Sequence, residues 1–143
     1  MKLLIASDHA GFELKEKIKN YFRDEITWED FGTNSLESVD YPDCIHPLAE
    51  KISQSPGEKG IILCGSGNGV AMTANKHPNV RAAVCWEREL AELARKHNDA
   101  NVLSIPARFV TENSAMEIVK GFISTGFEGG RHQKRVEKIN IPG

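Results

Sequence analysis

The chain has 143 residues, of which 40% are hydrophobic and 27% charged, and its formal net charge is -2. That length suits one domain over residues 1–143, and it is too short for a dinucleotide-binding domain followed by a separate catalytic one. The near-neutral charge leaves no global basic field, so nucleic acid and membrane surfaces are not expected partners, and any anion must be held by a local cluster.

Short apolar runs alternate with amphipathic stretches along the chain. Leu3-Leu4-Ile5-Ala6 reads as a strand that exits into Ser7-Asp8-His9-Ala10-Gly11. Leu14, Ile18, Tyr21 and Phe22 then recur at helical spacing, with Lys15, Glu16, Lys17 and Lys19 outside. Ile26-Thr27-Trp28 reads as a second strand, closed by Gly32-Thr33-Asn34-Ser35. Leu48, Ala49 and Ile52 form the next helical stripe. Pro47 is expected in that helix's first turn, because mid-helix it removes a hydrogen bond.

Gly60 to Cys64 is apolar on both faces, as in a parallel strand covered by helices. A glycine-rich turn and a helix to about Lys76 follow. Arg81 to Trp86 reads as a fourth strand. Leu90, Leu93, Ala94 and His97 repeat at helical spacing, opposite Arg88, Glu92 and Lys96. Asn101 to Pro106 is a fifth strand. Thr111 can cap a helix bearing Ala115, Ile118, Val119, Phe122 and Ile123 on one face. Gly129-Gly130 breaks it, and a basic helix runs to about Ile139. Five β-α repeats imply a parallel sheet with helices on both faces. Ligands of such sheets bind beyond the carboxyl ends of the strands.

The strongest local signal is Cys64-Gly65-Ser66-Gly67-Asn68-Gly69 between a strand and a helix. Alternate glycines let backbone N–H groups converge on a phosphate or an enediolate oxyanion, with the helix dipole behind them. Packing alone is the plainer explanation of such a turn. A dinucleotide fingerprint needs a sixth-position glycine, and Val70 stands there. Cys64, at the strand end against this helix, is placed to have its thiol pKa lowered and to serve as base or nucleophile. Cys85, mid-strand, reads as an inert core residue, and Cys44 carries no clear signal.

His97 is expected near the sheet's ligand-binding edge as an acid/base, or else as a core or capping residue. Asp8 and His9 mark a binding corner on the first exit loop, although Asp8 can also simply cap a helix. Arg131 and Arg135 share one helical face, a good match for phosphate, against the alternative of a solvated helix end. No Asp/Glu/His set is grouped along the sequence, so no metal and no cofactor are expected.

Three cysteines without close CxxC spacing suggest a reduced, cytoplasmic setting. The opening MKLLIASDHAGFELKEK has too short an apolar run for a signal peptide. No run approaches the ~18 apolar residues that cross a bilayer.

The motifs Asp8-His9-Ala10-Gly11-Phe12, Asp40-Tyr41-Pro42, Cys64 to Gly69, Ala74-Asn75-Lys76, His97-Asn98-Asp99-Ala100-Asn101 and Glu128 to Gln133 with Arg135 jointly resemble the type B ribose-5-phosphate isomerase family of sugar-phosphate isomerases. The resemblance spans almost the whole chain. It implies a Rossmann-like three-layer α/β/α sandwich with a five-stranded parallel sheet and a C-terminal helical tail. It also implies a homodimer with active sites shared between subunits, and leaves open whether dimers pair.

The implied activity is metal-free interconversion of ribose 5-phosphate and ribulose 5-phosphate in the pentose phosphate pathway. Cys64 matches the family's base. Ser66 and the amides of Gly65, Gly67, Asn68 and Gly69 match the enediolate cradle. His97 matches the ring-opening acid/base, with Asp8 nearby. Asn98 matches a contact to substrate hydroxyls, and His9, Arg108, Arg131 and Arg135 match phosphate and substrate contacts. Tyr41 matches a residue lining the site.

Ser66 replaces a threonine of many relatives and keeps the hydroxyl. Val70 stands where a cysteine-less branch carries a glutamate base, so the cysteine mechanism is the consistent one. Ile105-Pro106-Ala107-Arg108 replaces a more glycine-rich stretch. A six-carbon sugar phosphate such as allose 6-phosphate or galactose 6-phosphate is the alternative substrate. A non-catalytic sugar-phosphate sensor is the alternative from outside enzymology.

Overall fold

The computed structural model describes residues 1–142; Gly143, the last residue of the expected domain, lies outside them. Five strands form one parallel sheet: β1 (Lys2–Ser7), β2 (Thr27–Asp30), β3 (Gly60–Cys64), β4 (Ala82–Val84) and β5 (Val102–Pro106). Their order across the sheet is β2-β1-β3-β5-β4. Six helices connect and follow them: α1 (Phe12–Tyr21), α2 (Tyr41–Gln54), α3 (Asn68–Ala74), α4 (Arg88–Asn98), α5 (Glu112–Ser124) and α6 (Arg131–Glu137).

The strands are apolar throughout because both faces of the sheet are covered. Along β1, Leu3 and Ile5 join one core with Ile18 and Phe22 of α1, Ala91 and Ala94 of α4, and Val119 and Phe122 of α5. The intervening Leu4 and Ala6 join a second core with Ile45, Leu48 and Ile52 of α2 and Val70 and Ala74 of α3. The alternating pleat thus divides the layers: α1, α4 and α5 on one side, α2 and α3 on the other. This is the expected three-layer α/β/α sandwich.

The chain leaves β1 toward β2 on one side and returns to β3 on the other. The crevice between the carboxyl ends of β1 and β3 is therefore the topological switch point. Their register aligns Ser7 with Leu63, so the exits at Asp8 and Cys64 lie side by side.

Several local expectations are corrected. Pro47 lies inside α2, whose first turn is instead set by Pro42. Pro47 and Asp43, the carbonyl partner it cannot reach, are both exposed, so water can serve the unpaired carbonyl. Lys15 is not on the outer face of α1 but fully buried, with Nζ 2.8 and 2.6 Å from the two Asp30 carboxylate oxygens. Tyr21 is exposed. On α4, Leu93 is exposed and Arg95 is buried instead. The Arg95 guanidinium donates to Asp99 Oδ1 and to the carbonyls of Ala100 and Thr125, which compensates its desolvation.

Candidate active site

The glycine turn is built around Cys64. Its side chain is buried, and the backbone N–H of Gly67 donates to Sγ at 3.2 Å. Gly67 has φ +75°, a left-handed conformation that glycine adopts without strain. From the neighbouring strand, the fully buried Ser104 hydroxyl donates to the Gly67 carbonyl at 2.6 Å. Ser104 was not singled out from sequence; its position two residues into β5 gives no pattern signal.

Ser66 and Asn68 are exposed at the turn's tip, where Ser66 Oγ accepts from the Asn68 N–H at 3.3 Å. The absence of a side chain on Gly69 lets the Tyr41 ring lie against the turn, since a Cβ there would sit 2.5 Å from Tyr41 Cζ. Arg108 lies over Gly65, its N–H donating to the Gly65 carbonyl at 3.0 Å. Beside the turn is a hollow of about 420 Å³ lined by Ser66, Asn68, Val84, Trp86, Pro106 and Phe109.

The β1 exit completes this edge. Asp8 is buried and its Oδ1 accepts from the Gly11 N–H at 3.0 Å, shaping the turn into α1. His9 Nδ1 accepts from the Val39 N–H at 3.2 Å. That contact reserves Nδ1 as the acceptor, so a neutral His9 presents Nε2–H as a donor.

The expected residues form two groups, which one chain does not bring together. Asp8, His9, Tyr41, Cys64 to Gly69 and Arg108 share the carboxyl edge. His97 and Asn98 end α4, which starts after β4 and runs back about 16 Å toward the start of β5. The register that aligns Cys64 with Pro106 aligns Gly60 with Val102, placing the approach to β5 at the amino edge. The expectation that His97 sits on the carboxyl edge is therefore overturned by the direction of its helix.

His97 has company at that edge. The Glu128 N–H donates to the Lys96 carbonyl, fixing the loop before α6 against α4. The His97 and His132 rings stack with centroids 4.4 Å apart and planes 16° apart. Glu128 Oε1 lies 3.8 Å from His97 Nε2 and 3.7 Å from His132 Nε2. Burial and the neighbouring His97 and Arg131 hold the His132 pKa below the usual histidine value. Arg131 and Arg135 are exposed one turn apart on α6. The expectation that no His/Asp/Glu set is grouped thus fails in three dimensions: His97, Glu128 and His132 converge.

The other cysteines fit their sequence reading. Cys85 is buried in the first core, and burial pushes its thiol up to about 12. Burial, followed by the nearby Asp43, also raises Cys44. All three cysteines are free. Among the described residues, no helix is long and apolar enough to cross a membrane.

A doubly wound parallel sheet with a glycine-lined thiol at its switch point defines an α/β protein built to hold a small ligand there. The family described as Ribose/Galactose Isomerase matches residues 3–139, and the chain belongs to it. Its sequence is 40% identical over 139 residues to a ribose-5-phosphate isomerase B of Escherichia coli, covering 96% of this chain and 93% of that one. The crystal structure of a ribose 5-phosphate isomerase from Thermotoga maritima superposes with a TM-score of 0.94 at 48% identity, covering 97% of both chains. A Mycoplasma genitalium ribose-5-phosphate isomerase B, solved with bound ribulose-5-phosphate, gives 0.92 at 42% identity, covering 96% and 93%.

Proposed function

We propose that the chain is a single isomerase domain that interconverts D-ribose 5-phosphate and D-ribulose 5-phosphate as a homodimer. The observation that carries the chemistry is the Gly67 N–H aimed at Cys64 Sγ inside the glycine turn, whose tip at Ser66 and Asn68 is exposed. The sulfur so oriented, as thiolate, is the atom that can abstract a proton. Cys64 takes the C2 proton of the open-chain aldose and returns it at C1, while the hydroxyl proton on O2 passes to O1 at the enediolate stage, so that the carbonyl moves from C1 to C2. The Gly67 and Asn68 N–H groups are turned to Cys64 Sγ and Ser66 Oγ, so the remaining amides from Gly65 to Gly69 and the Ser66 hydroxyl hold the enediolate oxygen, where charge develops between the two transfers. The five-carbon substrate is supported by the relative solved with ribulose-5-phosphate.

Two copies are needed because His97, Asn98, Arg131 and Arg135 lie at the opposite end of the sheet from Cys64. In a two-fold dimer the amino-edge group of one copy meets the carboxyl edge of the other, giving two identical composite sites. Exposed Trp86 and Phe109 beside the Ser66 hollow supply apolar surface for such a contact. In that arrangement His97 moves the proton that opens the furanose ring, with Asp8 of the facing copy nearby. Asn98 contacts sugar hydroxyls, Tyr41 lines the pocket, and His9, Arg108, Arg131 and Arg135 hold the phosphate. Charge-assisted hydrogen bonds of about 1.5–3 kcal/mol each then anchor the end of the sugar that does not react. Three free cysteines fit a reducing cytoplasm as the working compartment.

The test is exchange of the C2 proton of ribose 5-phosphate with solvent deuterium, in the presence of a chelator. Exchange with formation of the ketose is the expected result; binding without exchange would make the protein a sensor instead.

A further inference from the structure

We propose that His97, Glu128 and His132 form a capture site for a zinc-class divalent ion, and that the bound ion silences His97. The inhibitory half rests on the role given to His97 above; the binding half does not.

The geometry is that of a half-built coordination sphere. Two imidazoles and one carboxylate are a common donor set for zinc, leaving the fourth position open. Ligand atoms around a tetrahedral ion with bonds of about 2.0–2.1 Å lie about 3.4 Å apart. Here the carboxylate oxygen is 3.8 and 3.7 Å from the two Nε2 atoms, and all three donors fall within 4.8 Å of one another. The carboxylate distances exceed that spacing by only a few tenths of an ångström, and rotation of one imidazole out of the stack turns both in-plane lone pairs toward a common ion.

The scaffold presents these donors firmly. His97 is in the last turn of α4 and His132 in the first turn of α6. Ring stacking keeps the two imidazoles adjacent, and the bond from the Glu128 backbone N–H to the Lys96 carbonyl keeps the third donor's residue beside α4. His132 is the most enclosed of the three, its side chain only 13% exposed.

The surroundings set the kind of ion. Arg131 and Arg135 oppose any cation, so a hard ion that gains little from imidazole nitrogen has no advantage here. Magnesium and calcium prefer oxygen ligands. Zinc, cobalt, nickel and copper gain from imidazole nitrogen. An ion on His97 takes the ring-nitrogen lone pair that would accept a proton from the sugar hydroxyl.

Cobalt(II) is the probe, because tetrahedral coordination by nitrogen and oxygen gives a visible absorption band on the full-length protein. The expected result is a saturable band without thiolate-to-cobalt charge transfer. It should weaken at least about tenfold in apparent affinity in both Glu128→Gln and His132→Gln, and persist in a His46→Gln control at the separate His46–His77 pair. Zinc should inhibit the isomerase, chelator should restore it, magnesium should do nothing, and each of the two variants should resist zinc relative to its own metal-free rate. No saturable band, or a band unchanged in both variants, overturns the metal site. A band lost in both variants without any zinc inhibition leaves the site standing and removes His97 from the reaction.

Discussion

The Ser104 hydroxyl reaches across from β5 to donate to the Gly67 carbonyl at 2.6 Å, while the N–H of the same Gly67 donates to Cys64 Sγ at 3.2 Å. A fully buried strand residue thereby anchors Gly67 through its carbonyl, on the far side of the Cα from the N–H that faces the proposed base. Ser104→Ala removes a buried hydrogen bond worth about 1 kcal/mol, and a denaturant titration should show that loss. It should also loosen Gly67 and with it the N–H on Cys64 Sγ, lowering kcat about tenfold with little change in KM, since about 1.4 kcal/mol of lost transition-state stabilisation gives that factor. A fall in kcat at unchanged KM is the readout that a purely structural role for Ser104 would not produce.

Cys64→Ala should abolish isomerisation while calorimetry still detects ribose 5-phosphate binding, because the phosphate contacts come from other residues. Cys85 provides the internal control. Its burial and a pKa raised to about 12 predict no alkylation near neutral pH in the folded protein. Full activity in Cys64→Ala would remove the thiol as base.

Much of this arrangement was legible in the sequence where one local rule decides the outcome. The run Gly60 to Cys64 is apolar at every position because β3 is covered on both faces, and it is a strand. Thr111 has the residue type and place of a helix cap, and its Oγ1 accepts the Ser114 N–H at 3.1 Å. Long-range partners were not legible. Lys15 looks like one more surface lysine of α1 until Asp30, fifteen residues away, takes its ammonium. Arg95 is buried because Thr125 and Ala100 offer carbonyls that no periodicity displays. The edge on which His97 lies is not legible either, because helical spacing gives a face but not the direction in which the crossover carries the helix. Glu128 joins it only through the fold of the loop before α6.

A site divided between two copies makes a complementation experiment decisive. Cys64→Ala and His97→Ala should each be inactive alone. Mixed and allowed to exchange subunits, half the dimers are hybrids, and each hybrid has one intact site and one doubly defective site. Activity should therefore recover to about one quarter of the unmutated value, as the statistics of a two-fold assembly require. No recovery after demonstrated exchange would place Cys64 and His97 of the same chain in one site, against the topology described above.

The Lys15–Asp30 pair predicts a pH dependence of stability. Burial pushes the Asp30 carboxyl up, but donation from Lys15, Lys19 and the Gly32 N–H outweighs it and holds the group below its ordinary value of 3.8. A carboxylate with a depressed folded-state pKa contributes stability that is fully present above the unfolded value and is lost as pH falls through the folded one. The loss belongs below about pH 4. Lys15→Met should weaken that acid dependence by removing one of the donors that depress the pKa. It should also destabilise the protein at neutral pH, by less than the roughly 3–5 kcal/mol of a broken buried pair, because Lys19 Nζ remains 2.8 Å from Asp30 Oδ2. Urea midpoints measured for both proteins between pH 7 and pH 3 check this: parallel curves would mean that the Lys15 contact contributes nothing to the acid sensitivity, whereas converging curves identify Asp30 as the group that titrates.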